Sequence, residues 1–218
     1  MKRKLRVTVV LLGLLVMLSV ATEQERIKRT DLVYAESLDE VALTVDGVEL
    51  TLRDIAVYIA YQEKEVQQDA LAYDFEKPSK YWNAYTNHHF IRSVAEDAIK
   101  DMAVHDEIFY QMAVAEQIEL DAREEAYLVN EVQDFLMDLN EEQLARLGVT
   151  REELESSMRK IALANKYQSI LSQMEGLYYE DYDYTGAVYE LIEAEHVIEE
   201  NESVWDRISV GSITVNFE

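Results

Sequence analysis

Cysteine is absent from this chain. That excludes disulfides, thiolate metal sites and attachment of a lipid through cysteine, so stability has to come from packing alone. One proline, Pro78, and six glycines in 218 residues leave few chain breakers, which favours long uninterrupted helices. Basic residues are scarce: 20 Lys and Arg face 44 Asp and Glu, for a net charge of −24. So large an acidic excess argues against nucleic acid, whose phosphates need Lys and Arg. It argues equally against docking on anionic lipid. It favours solubility, repulsion between copies and attraction of basic clients or cations. For any single acidic run, a solvated surface is explanation enough. No glycine-rich phosphate loop, GxSxG elbow, dinucleotide fingerprint or HExxH pair occurs, and no cofactor is expected.

Long apolar runs are also lacking, apart from one at the start. Lys2, Arg3, Lys4 and Arg6 precede Val7 to Val20, which is apolar except for Thr8, Gly13 and Ser19. Ser19-Val20-Ala21 offers the small residues a signal peptidase reads. Residues 1–21 therefore read as a signal peptide, with an uncleaved membrane anchor as the alternative. The run is shorter than the roughly 18–20 residues a spanning helix needs. Cleavage would leave 197 residues and a net charge of −28, enough for one domain with a proper core. The protein is expected outside the cytoplasm, touching membrane only through an uncleaved leader. Residues 22–40 read as a polar, flexible spacer.

What is present begins with Val41 to Asp54, VALTVDGVELTLRD. Val41, Leu43 and Val45 alternate with Ala42 and Thr44, the period of a half-buried strand. Asp46-Gly47 supplies the positive φ angles of a tight hairpin, and Val48 to Leu50 returns. Thr51 and Asp54 then make a capping box for a helix.

Helix one is expected over about 52–73, with Leu52, Ile55, Ile59, Val66, Ala70 and Tyr73 on one face. Asp74 to Lys80, with Pro78, ends it. Helix two is expected over about 87–116, with Ile91, Val94, Ala98, Met102, Phe109 and Met112 as its seam and His105 on the same line. Asp121 and Glu124 cap helix three, over about 122–139, carrying Leu128, Val132, Phe135 and Leu139. A short piece from Glu141 to Leu147 stops at Gly148, which tolerates left-handed backbone. Thr150 and Glu153 cap helix four, over about 151–175, with Leu154, Met158, Ile161, Leu171 and Met174.

The hairpin leading into a long helix resembles the start of the SurA-type N-terminal module of extracytoplasmic chaperones and PrsA-like foldases. Ala113 to Asp121 (AVAEQIELD) resembles that module's helix end, extended turn and acidic cap. Leu147 to Leu154 (LGVTREEL) resembles the entry to its last long helix, and Arg159 to Tyr167 that helix itself. The resemblance covers roughly Val41 to Glu175. It implies a mainly α fold: a long-helix chaperone module with a small hairpin or sheet completed by a C-terminal strand. Full foldases carry a parvulin prolyl isomerase domain after this module. From Gly176 to Glu218 only 43 residues remain, too few for it, so the resemblance implies the chaperone part alone.

The rest is tyrosine-rich and acidic. Tyr178, Tyr179, Tyr182, Tyr184 and Tyr189 lie among carboxylates, and Ala187 to Glu200 reads as helix or partly extended. Ile208 and Val210, then Ile213, Val215 and Phe217 in the opposite phase, predict a strand over about 208–217 with a bulge or turn at Gly211-Ser212. This strand is the expected partner of the hairpin.

Asp181-x-Asp183-x-Thr185-Gly186 matches the start of an EF-hand loop, but Ile192 stands where the bidentate glutamate belongs. An acidic connector is the plainer reading. The histidines are His88, His89, His105 and His196, none at metal-ligand spacing, and no metal site is expected.

The candidates for binding polypeptide are the apolar and aromatic side chains Tyr81, Trp82, Tyr85, Phe135, Tyr178, Tyr179 and Tyr182. Each has a second explanation, packing in the core or over a helix end. The resemblance implies a non-enzymatic chaperone that shields unfolded or extended, possibly basic, clients. A dedicated assembly or scaffold subunit for one exported partner is the alternative from another class. A prolyl isomerase is a third reading, disfavoured for want of a catalytic domain.

Overall fold

Asp46 and Gly47 turn the chain with φ of 51° and 83°, the two left-handed residues a two-residue hairpin requires. In this computed structural model, which describes residues 32–215, that turn joins β1 (Val41–Val45) to β2 (Val48–Thr51). All described residues but Leu32 fall in one unit of the chain, Val33–Glu218. The leader and most of the spacer lie outside the described residues.

The expected alternation along β1 is broken by a bulge between Val41 and Leu43. Both Ala42 and Leu43 are buried as a result. The Ala42 carbonyl then accepts from the Asn201 amide (3.0 Å) and from the Trp205 indole (2.9 Å). The third strand, β5 (Ile198–Glu200), pairs antiparallel with β1, so the sheet order is β2-β1-β5. At its end Asp46 accepts from the Val197 amide (2.8 Å) and meets His196 Nδ1 at 2.6 Å.

The helices follow their caps. α1 (Leu52–Tyr73) starts where the Thr51 amide and hydroxyl both donate to Asp54, at 2.8 and 2.6 Å. α2 (Ser79–Trp82) is one turn after Pro78. α3 is Ile91–Ala115 and α4 is Ala122–Asp138, capped reciprocally by Asp121 and Glu124. α5 (Glu141–Leu147) and α6 (Arg151–Glu175) carry the same reciprocal cap, through Asn140 with Gln143 and Thr150 with Glu153. Each such cap contributes on the order of 1 kcal/mol. Gly148 and Gly176 end α5 and α6 in left-handed backbone. α7 (Ala187–Glu193) and α8 (Glu202–Trp205) are short. The fold is mainly α with a small antiparallel sheet, as expected.

Four further expectations change. Residues 87–90 are not helix: Asn87 and His88, at φ of 49° and 70°, turn a second small hairpin between β3 (Tyr85–Thr86) and β4 (His89–Phe90). Asn tolerates that backbone better than most residues. Next, the face α3 buries is rotated from the expected seam. It buries Ala95, Ile99, Ala103, Ile108 and Ala113 beside Phe109 and His105 of the expected line, while Val94 is exposed. Small side chains there let α1 and α6 approach on two sides.

The spacer ends early. Tyr34 is buried in a 3-10 turn (Tyr34–Glu36) and its hydroxyl donates to the Leu52 carbonyl. Ala35 sits so close to Gly148 that a Cβ there would lie 2.6 Å from its own.

The strand expected over 208–217 is the largest correction. Over its described part, 208–215, the chain is turn and bend, and the strand that completes the sheet is β5. Ile208, Val210, Ile213 and Val215 are buried, so the apolar pattern is right and its cause differs. The backbone wraps a carboxylate. The amides of Gly211, Ser212 and Ile213 donate to Glu63 Oε1 at 2.5, 3.1 and 3.1 Å, and that of Thr214 to Oε2 at 2.5 Å. Glu63 is wholly buried on α1. Arg92 of α3 holds the Val210 carbonyl, and Gln143 of α5 donates to the Thr214 carbonyl at 2.7 Å.

Candidate functional site

α4 docks on α6 by a narrow stripe, burying only Leu128 and Val132 along its length. The apolar side chains Met158 and Ile161 of α6 therefore stay half-exposed. Between these helices, α1, α3 and the connector 179–184, a cleft of about 500 Å³ remains. Its walls are ring and thioether: Tyr58 and Tyr61 from α1, Met102 from α3, Phe135 from α4, Met158 from α6, and Tyr179 and Tyr184 from the connector. Its acids are Asp106, Glu131 and Asp183, and among the described residues no Lys or Arg lines it.

The floor is a hydrogen-bonded chain. Tyr58 donates to Asp106 Oδ2 at 3.0 Å, and Asp106 Oδ1 meets His105 Nδ1 at 2.8 Å. His105 Nε2 lies 2.9 Å from the Tyr182 carbonyl. The imidazole is packed between Phe109 and Tyr189, with ring centroids 4.8 Å from each. His105 is thus a core residue, and it ties the connector to α3. Gln168 adds two more ties, donating to the Tyr179 carbonyl (3.0 Å) and to Asp183 Oδ1 (2.8 Å).

The acids shape the tyrosines electrostatically. Burial, then Asp183 and Asp106, push the Tyr179 hydroxyl up to about 12. Burial and Asp106 raise Tyr58, and burial, then Tyr61, Asp101 and Asp183, raise Tyr184. The hydroxyls remain protonated donors throughout the physiological range. The cleft therefore combines apolar walls, neutral donors and fixed negative charge.

Of the seven candidates named from sequence, the cleft brings together Phe135 and Tyr179. Two are core residues, and as binding candidates they are overturned. Trp82 is wholly buried, its indole donating to Gln67 at 2.8 Å, and Tyr182 is 3% exposed under the connector. Tyr81 is half-buried against Tyr73, and Tyr85 is exposed on the β3–β4 hairpin against Phe90. Tyr178 is 79% exposed at the start of the connector, outside the cleft. Sequence reasoning missed Tyr58, Tyr61, Met158 and Tyr184 as site residues. The signal for the first pair was an i, i+3 tyrosine spacing off the core face of α1.

The EF-hand-like segment is folded on itself. Asp181 Oδ2 accepts from the Tyr178 amide at 3.2 Å and Asp183 is engaged by Gln168. Gly186 is pressed against the Asp181 carbonyl, leaving no space for a Cβ. Among the described residues, no helix is long and apolar enough to cross a membrane. No family model, curated protein or solved structure matches the chain.

Proposed function

We propose that this chain is an extracytoplasmic chaperone-like protein that binds unfolded or extended polypeptide without catalysis. The observation that carries the proposal is the cleft walled by Tyr61, Phe135, Met158, Tyr179 and Tyr184 between long helices. Concave apolar surface with convergent polar groups is the usual form of a binding site. On the same face of α4, one turn before Glu131, Tyr127 is exposed and adds a further ring. Shielding of apolar client segments is the mechanism, and the strongly acidic surface keeps a loaded complex soluble. Release follows mass action. The order of hairpin, caps and long helices supports the same reading through its resemblance to SurA-type modules.

The test is aggregation suppression. The protein purified after export is titrated against two unrelated, chemically unfolded clients. Suppression of both at near-stoichiometric amounts is expected, and Phe135→Ala with Tyr179→Ala should weaken it. Failure with both clients would leave the dedicated single-partner subunit as the better reading.

A further inference from the structure

The charge in the cleft is one-sided: among the described residues its acids are hydrogen-bonded, Asp106 by His105, Asp183 by Gln168 and Glu131 by Tyr127, but no Lys or Arg lines it. Three cations of α1 and α6 are committed elsewhere: Lys64 to Asp138 at 2.6 Å, Lys166 to Glu124 at 2.6 Å, and Arg159 to Glu125. Among the described residues, neither Glu131 nor Asp183 is paired with a Lys or Arg. Both are half-buried, beside the exposed rings of Tyr61, Tyr179 and Tyr184. Ring faces attract cations, most strongly where water is partly excluded. Lysine and arginine also carry apolar stems that pack on apolar walls while the charge stays at a polar site. A carboxylate ligand would be repelled by the acids here, and an apolar side chain alone would fill the walls but leave the two carboxylates without a partner charge.

The geometry points to a pocket for a lysine or arginine side chain of an extended client segment. Its stem lies along Phe135 and Met158, and its charge faces Glu131, Asp183 and the surrounding tyrosine rings. This rests on the polypeptide-binding reading and adds to it the chemistry of the side chain received.

The test compares two fluorescent peptides identical except that the lysines of one are acetylated, which removes charge and keeps the stem. Anisotropy titrations at about physiological ionic strength limit long-range attraction to an acidic protein. The lysine peptide should bind about tenfold or more tightly than the acetylated one, the scale of one partly desolvated cation site. Glu131→Gln with Asp183→Asn keeps shape and hydrogen-bond acceptors, and should abolish that preference while leaving affinity for the acetylated peptide. Glu190→Gln with Glu202→Gln removes equal charge from exposed positions on α7 and α8, and should retain the preference. Equal affinity for the two peptides, or the same loss in both double variants, would overturn the pocket. Aggregation suppression measured on the same samples separates the claims: with suppression intact only the cation pocket fails, and with suppression lost the polypeptide-binding reading fails as well.

Discussion

Thr214 meets Glu63 twice, with its amide at 2.5 Å and its hydroxyl at 2.6 Å on the same carboxylate oxygen. The two residues are 151 positions apart. Three further amides converge on the other oxygen, so one buried side chain of α1 organises the whole turn 211–214.

Removing that carboxylate strands four amides, three of them buried. Glu63→Ala should cost about 3–5 kcal/mol, the scale for breaking a buried charged network from one side. Glu63→Gln should cost less, because it keeps one acceptor while turning an amide nitrogen toward N–H groups. Urea unfolding midpoints measure both. Unchanged midpoints would show that the turn contributes nothing to global stability.

Two glycines with the same backbone separate two effects. Gly47 and Gly211 have φ of 83° and 86°, but a Cβ at Gly47 meets nothing while one at Gly211 falls 2.4 Å from the Trp82 ring. Gly47→Ala should show the left-handed cost alone, about 1–2 kcal/mol. Gly211→Ala should add overpacking of about 1–3 kcal/mol. Tryptophan emission should shift only in the second variant, because Trp82 is the ring displaced.

The aromatic candidates should divide by burial. Trp82→Ala should destabilise by about 3–5 kcal/mol and reduce client binding only through unfolding. Tyr178→Ala should stay within about 0.5 kcal/mol of the parent. Thermal unfolding distinguishes them, and similar losses in both would contradict the packing described for the connector.

The helix caps give acid sensitivity a sign. The amides of Glu124 and then Arg123 hold the Asp121 carboxyl below its ordinary value of 3.8. Folded protein therefore binds that proton less readily than unfolded chain. The cap's contribution is present above the ordinary value and is lost as the pH falls through the lowered one. Glu124 and Glu153 are lowered in the same direction, first by Lys166 and by the Thr150 amide respectively. Asp121→Ala should be less stable than the parent at neutral pH, and the gap should begin to narrow below about pH 4 and close as the pH falls through the lowered value. A gap as wide at about pH 3 as at neutral pH would show that the carboxylate is not the capping group.

Helix ends were legible because caps are local chemistry: Thr51, Asp121, Thr150 and Gly148 announce them within four residues. Asn140, whose side chain accepts from the Gln143 amide at 2.9 Å, does the same for α5 and went unread. The C-terminal turn was illegible for the opposite reason. Glu63 sits in a polar run, Gln62 to Glu65, that reads as solvated surface, and its partners are amides, which leave no trace in side-chain pattern. The cleft lies between. Phe135 and Tyr179 stood out as aromatics in acidic surroundings. Tyr58 and Tyr61 became site residues only once α4 and the connector closed over them.

The three-stranded sheet also sets an order of events. β1 can pair with β2 as soon as Thr51 is available, but Leu43 finds its other neighbour only at Glu200. A chain made or threaded from its N-terminus thus presents one open edge of β1 while some 150 further residues follow. That long closure slows folding. Until Asn201 and Trp205 arrive at the Ala42 carbonyl, the hairpin is a loose end, and the helices between must collapse around it first. The slowest step in maturation should then be the docking of 198–214, with β5 reaching β1 and the last turn closing on Glu63.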